Sequence, residues 1–204
     1  MIQLSERERM LRTYRRQEID RIMMVDSAWN GTVRRWRAEG MPTDVDWRDY
    51  FGFDKPVQIG FDNSPLFERK VLEKTDRYTI ETTKWGVTRK VFNELDSTPD
   101  NLHYYYDDSQ KWEEAKQKML VYDPSRIPWE TLEKNYARWR AEGRFMQLVL
   151  WFGFDVAHSW MIGTENLLVG MYDEPEWVTD VFDTYLTTTL DLAQRGLGTM
   201  SCGP

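Results

Sequence analysis

Hydrophobic positions fall at helical spacing through most of this chain, with a few short apolar runs of strand length between them. Ser5 with Glu8 makes a capping box, and Met10, Leu11 and Tyr14 form the apolar stripe behind it. Residues 22–25 follow Asp20-Arg21 and predict a buried strand. Val33 and Trp36 predict a short helix stopping near Gly40, and another runs over about 44–51, ended by Gly52. Residues 57–61 read as a strand. Ser64-Pro65 then opens a predicted helix carrying Phe67, Val71 and Leu72, with Pro at its first position.

The period changes over residues 77–92. Tyr78, Ile80 and Thr82 alternate, Lys84-Trp85-Gly86 makes a turn, and Val87, Arg89 and Val91 alternate again, which predicts a β-hairpin. Tyr104-Tyr105-Tyr106-Asp107-Asp108 reads as an edge segment followed by a helix cap. Trp112, Ala115 and Met119 mark one helix. Leu132, Tyr136 and Trp139 mark the next, which starts after Pro128 and ends at Gly143. Residues 145–152, apolar except for Gln147, form the clearest buried strand. Residues 158–171 are helical with a break at Gly163-Thr164. The last helix opens at Asp173-Glu174-Pro175-Glu176, carries Val178, Val181, Phe182, Tyr185 and Leu186 on one face, and runs out near Gly196. Helices separated by short buried strands predict an α/β layout with parallel strands, and this patterning leaves barrel and open sheet both open.

Composition narrows the class. The 204 residues are 41% apolar and 30% charged, which fits a folded globular chain of about one domain. No run approaches the ~18 apolar residues of a membrane span, and the Arg- and Glu-rich start does not read as a signal peptide. A single cysteine, Cys202, forms no internal disulfide, so a cytoplasmic location is expected. The net charge is −7. Residues 1–50 hold ten Arg against nine acids, whereas residues 151–190 hold seven acids and no Lys or Arg. Basic residues interleaved with acids read as solvated helix surface, so nucleic acid is not an expected partner.

Several short motifs then resemble one family. Ser5-Glu-Arg-Glu-Arg9 followed by Asp20-Arg21 is similar to the opening of the uroporphyrinogen decarboxylase-like superfamily. Lys84-Trp85-Gly86-Val87, Ser97-Thr98-Pro99, Trp112-Glu-Glu-Ala-Lys116 and Asp123-Pro124-Ser125-Arg126 resemble blocks of its cobalamin-dependent methyltransferase-like branch. So do Gly163-Thr-Glu-Asn-Leu-Leu168 and Tyr172-Asp-Glu-Pro-Glu176, and the blocks stand in the family's order to about residue 195. The resemblance implies the N-terminal portion of a (β/α)8 barrel with extra N-terminal helices and a β-hairpin excursion, since the full barrel takes about 250 residues. Residues 1–196 are expected to be this partial barrel and 197–204 a C-terminal tail.

The resemblance also implies a chemistry: methyl transfer between a small methylated donor, a corrinoid and a thiol, with this chain alone incomplete. Full-length members are implied to use corrinoid and zinc. His103, His158 and Cys202 have no ligand-like spacing, so no cofactor or metal is expected on this chain. The alternatives are tetrapyrrole decarboxylation, or a non-catalytic module or half of a split enzyme. The decarboxylase branch carries an Arg-Gln-Ala-Gly-Arg loop, where this chain reads Asp26-Ser-Ala-Trp-Asn-Gly31 and has no Arg until Arg34. Expected partners are a small-molecule substrate and either a second copy or a chain supplying the C-terminal half of the barrel.

In such a barrel, active residues follow the C-terminal ends of strands. Asp26 is suited to act as a general base or to bind a cation, its ordinary role being to cap the next turn. His158 is of the residue type suited to proton transfer or metal ligation, against a packed, hydrogen-bonded role beside Trp160. Glu165 is a third catalytic candidate, or a first-turn acid favoured by the helix dipole. Trp29, Trp85, Phe154 and Asp155 are the candidate substrate contacts. Core packing accounts for most other tryptophans, notably Trp112, Trp139 and Trp151.

Overall fold

A computed structural model gives the fold and describes residues 3–94 and 97–201. In chain order the elements are α1 (Glu6–Tyr14), α2 (Asn30–Ala38), α3 (Trp47–Phe51), β1 (Val57–Gly60), β2 (Val71–Lys74), β3 (Tyr78–Thr82), β4 (Val87–Phe92) and β5 (Asp100–Tyr104). There follow α4 (Ser109–Leu120), α5 (Trp129–Ala141), β6 (Met146–Val149), α6 (Phe154–Val156), a π-helix (Ala157–Met161), α7 (Thr164–Asp173) and α8 (Pro175–Ser201). The chain divides into two compact units. One holds the residues up to Gly60 with Pro128–Val149, the other Phe61–Ile127 with the residues from Leu150 onward.

In the first unit Ser5 caps α1 as expected, its hydroxyl accepting from the Glu8 N–H at 3.2 Å. The buried side chain of α1 is not the apolar stripe, however, but Arg9. Its guanidinium meets Asp20 at 2.8 Å and Asp54 at 2.7 Å and donates to the Leu4 carbonyl at 2.9 Å. Arg21 reaches Asp54 at 2.7 Å, and the Met24 N–H donates to the same carboxylate at 3.0 Å. This network corrects the strand expected at 22–25. The backbone there is drawn to a carboxylate instead of a ladder, and Ile22, Met24 and Val25 are exposed. The parallel partner of β6 is β1, in the register Val57↔Met146 to Gly60↔Val149. Strand β6 covers only half of the run expected to pair, and Trp151 beyond it is exposed, not core.

The second unit contains an antiparallel sheet in the order β2-β3-β4-β5. The expected hairpin is β3–β4, paired from Tyr78↔Phe92 to Thr82↔Thr88. Gly86 at its turn has φ +85°, and a Cβ there would stand 2.8 Å from the Tyr106 ring, so only glycine fits. The helix expected from Ser64-Pro65 does not form. Leu66 adopts φ +51°, the Phe67 N–H donates to Lys84 O at 2.9 Å, and Val71 and Leu72 sit in edge strand β2, exposed. Pairing with the hairpin satisfies this backbone outside a helix.

Asp108 N-caps α4, and Trp112, Ala115 and Met119 are buried, as their spacing predicts. They share a core with Val178, Val181 and Tyr185 of α8 and with Val156, Ala157 and Met161. The polar edge of Trp112 is satisfied by Asp180, which accepts from Nε1 at 2.7 Å and also pairs with Lys116 at 2.7 Å. Helix α8 passes Gly196 and continues to Ser201, so residues 197–201 are helical; Cys202 lies outside the described residues. The fold is mixed α/β, with one parallel and one antiparallel sheet and no closed barrel among the described residues. No helix there is long and apolar enough to cross a membrane.

Candidate functional site

The turn of the β3–β4 hairpin and the π-helix build a cleft within the second unit. Thr83, Lys84, Trp85, Val87 and Arg89 come from the hairpin, Asn101 from β5, Ser159 and Trp160 from the π-helix, and Arg69 from the segment before β2, enclosing about 260 Å³. Trp85 is buried, its ring 6.0 Å from Trp160 and 6.1 Å from Tyr185, and Trp151 lies 5.2 Å from Trp160. Asn101 donates to the Ser159 carbonyl at 2.8 Å and to the Tyr104 hydroxyl at 3.1 Å, which fixes the π-helix beside the sheet. π-Helical turns recur at functional sites because the widened turn re-aims side chains.

Charge is distributed unevenly round the cleft. Arg89 is held by Glu81 at 2.6 Å and Lys84 by Asp62 at 2.9 Å. Arg69 is exposed and faces no carboxylate within ion-pair distance among the described residues. Burial works against ionisation of Asp62, yet hydrogen bonds from Ser64 and Lys84 hold its carboxyl below the usual carboxylate range.

The chain segments that follow the two parallel strands are joined beside this cleft. Asn63 after β1 donates to the Trp151 carbonyl at 2.7 Å and to the Thr189 hydroxyl at 3.1 Å. Arg126, 2% exposed, donates to the carbonyls of Asp62 at 2.8 Å, Ser64 at 2.7 Å and Lys118 at 2.7 Å. Burial lowers its pKa, while the Asp62 and Asp123 charges act in the other direction. Its role is positional: a planar cation gathering three carbonyls from separate segments.

Five of the seven residues singled out from sequence lie in this unit. Trp85 is both a cleft wall and a core residue. His158 sits on the π-helix, its Nδ1 3.1 Å from the Thr164 hydroxyl and its Nε2 3.0 Å from the Ser159 hydroxyl. Asp155 approaches Nε2 at 3.6 Å, and the Phe154 ring stands 4.9 Å from the imidazole. Ser159 therefore links His158 to the cleft, and the pair is suited to pass a proton there. Glu165 is exposed in the first turn of α7, its placement explained by the helix dipole. The other two lie in the first unit. Asp26 is exposed, accepting from the Ser27 N–H at 2.7 Å in a local turn, and lines a separate pocket with Arg48, Lys55 and Arg144. Trp29 is exposed at the N-cap of α2.

Sequence patterning does not single out Arg69, Arg89, Asn101, Ser159 or Asp62. Of these only Ser159 carries a signal, its adjacency to His158. Among the described residues no three His, Cys, Asp or Glu are grouped to hold a metal ion, so these residues do not fit the zinc that the family resemblance implies. A corrin or tetrapyrrole ring exceeds the 260 Å³ cleft, which fits a small molecule only. No family model, no curated protein and no solved structure matches this chain.

Proposed function

We propose that this chain is a uroporphyrinogen decarboxylase-like protein of the methyltransferase-like branch, and that its second unit holds the small methylated donor. One observation carries the reading. The segments following parallel strands β1 and β6 are joined by the Asn63–Trp151 hydrogen bond beside a cleft bounded by the hairpin motif Lys84-Trp85-Gly86. In (β/α)8 enzymes the substrate site is built from the chain that follows strand ends, and the ordered sequence motifs point to the same family. The size of the cleft favours a small donor over a tetrapyrrole, and hence methyl transfer over decarboxylation.

Within this reading the residues have distinct tasks. Trp85 and Trp160 exclude water and pack on the donor, Arg69 sets a positive rim where Lys84 and Arg89 are already paired, and Ser159 with His158 moves a proton at the cleft. Asn101 and Arg126 position these groups. Neither the corrinoid that the resemblance implies nor activation of the thiol is assigned to any of the described residues.

The test is demethylation of a panel of small O-, N- and S-methyl compounds by the purified chain, with reduced corrinoid and a thiol present, read by mass spectrometry. Protein-dependent release of a demethylated product, lost in His158→Ala, supports the proposal. No release from any donor, with or without a chain supplying the rest of the barrel, sinks it and leaves the non-catalytic module.

A further inference from the structure

The cleft's walls and charges define its ligand more closely than the methyl-transfer reading on which this step rests. Its volume is about 260 Å³. An apolar cavity of about 150 Å³ is enough for benzene, so this cleft has room for one six-membered ring with one or two small substituents. Trp85 and Trp160 pack against each other, centroids 6.0 Å apart and rings inclined at 54°, and together form one aromatic wall of the cleft. A flat ring laid on that wall makes the offset or edge-to-face contacts that aromatic pairs prefer.

The rim selects charge. Three cations line the cleft, and two are already neutralised, Lys84 by Asp62 and Arg89 by Glu81. Arg69 is left with no carboxylate partner among the described residues. Its guanidinium can take a planar carboxylate through two parallel N–H donors. One unmatched positive charge calls for a monoanion, because a dianion would leave a negative charge beside Asp62 and Glu81. The polar groups remaining, the hydroxyls of Thr83 and Ser159, suit a neutral oxygen substituent.

We infer that the cleft between the β3–β4 turn and the π-helix binds a single-ring aromatic monocarboxylate, with the ring against Trp85 and Trp160 and the carboxylate on Arg69. A methoxylated ring acid is then the class of methylated donor.

The inference is tested on the full chain by fluorine-19 line-shape titration with 4-fluorobenzoate, using 4-fluorobenzamide as the neutral isostere and trifluoroacetate as the anion without a ring. Saturable binding of 4-fluorobenzoate is expected, with both controls at least about tenfold weaker. Arg69→Gln weakens 4-fluorobenzoate about tenfold, the order of one charge-assisted hydrogen-bonded pair, and Arg69→Lys recovers part of the loss. Arg69 is exposed, and circular dichroism verifies the fold of each variant; Trp160→Leu supplies an independent loss of affinity. Equal binding of the benzamide, an unaffected Arg69→Gln, or no saturable binding overturns the inference. Demethylation of a non-aromatic donor without 4-fluorobenzoate binding removes this inference and leaves the methyl-transfer reading. Binding without demethylation of any donor does the reverse.

Discussion

The side-chain amide of Asn101 donates to the main-chain carbonyl of Ser159 at 2.8 Å, joining an edge strand to a π-helix 58 positions away in the chain. This one bond sets the spacing of the cleft, because β5 pairs with hairpin strand β4 on one side and the π-helix carries Trp160 on the other. Asn101→Ala is expected to lower stability by about 1 kcal/mol, the net worth of a neutral hydrogen bond. The sharper readout is hydrogen exchange, with faster exchange confined to residues 157–161. Unchanged protection there would show that the π-helix is held by its core contacts alone.

Asp54 is the acid at the centre of the first unit. Burial opposes its ionisation, but hydrogen bonds from Arg21 and the Met24 N–H, with the charges of Arg21 and Arg9, hold its carboxyl below the usual range. Hydrogen bonds from Arg9 and the Leu4 N–H lower Asp20 as well. A carboxylate whose folded-state pKa lies below its unfolded value of about 3.9 stabilises the fold above that pH, and the contribution disappears as the pH falls through the folded-state value. Asp54→Asn is expected to cost about 3 kcal/mol at neutral pH, because it removes one of the two carboxylates that balance the buried Arg9 and the one that holds Arg21. Chemical denaturation of both proteins should give stabilities that converge as the pH falls below the usual carboxylate range; a constant gap would refute the linkage.

Gly163 separates the π-helix from α7 with φ +96°, and a Cβ there would lie 2.9 Å from the Tyr104 ring. Gly163→Ala combines backbone strain with a clash and is expected to destabilise by about 1–3 kcal/mol. A Cβ added at Gly198 in α8 would meet nothing within 4 Å among the described residues, so Gly198→Ala should stabilise by about 0.5–1 kcal/mol. Opposite shifts in melting temperature are the expected result. A neutral Gly163→Ala would mean that the α7 start relaxes freely.

Arg126 donates to three carbonyls at 2.7–2.8 Å from a site that is 2% exposed. Lysine keeps the charge but cannot span the same fork. Arg126→Lys is therefore expected to lose about 2–3 kcal/mol, since a buried carbonyl left without a donor costs its full desolvation. Denaturant midpoints measure this, and 4-fluorobenzoate affinity should fall with it, because Asp62 and Ser64 lose their anchor.

Local signals placed most elements well. The Ser5 cap, the Gly52 stop, the β3–β4 hairpin, the Trp112–Met119 helix face and the break at Gly163 all depend on contacts a few residues apart, and their sequence patterns carry that information. The expected helix from residue 64 and the expected strand at 22–25 depend instead on distant partners. Phe67 and Val71 pair along the hairpin, and Met24 is drawn to Asp54, thirty positions on.

The same division runs through the candidate site. Trp85, Phe154, Asp155 and His158 stand out in the sequence by residue type and neighbouring motifs, and the fold brings them into one unit. Arg69, Asn101 and Ser159 carry no such mark. Their importance comes from which carboxylates the other cations have already taken and which carbonyl an edge-strand amide can reach. Periodicity and capping are properties of adjacent residues, so the sequence alone determined the helices and the hairpin. Charge pairing and cleft geometry arise between segments separated by tens of residues, so only the tertiary structure decided where a ligand is held and which cation remains to bind it.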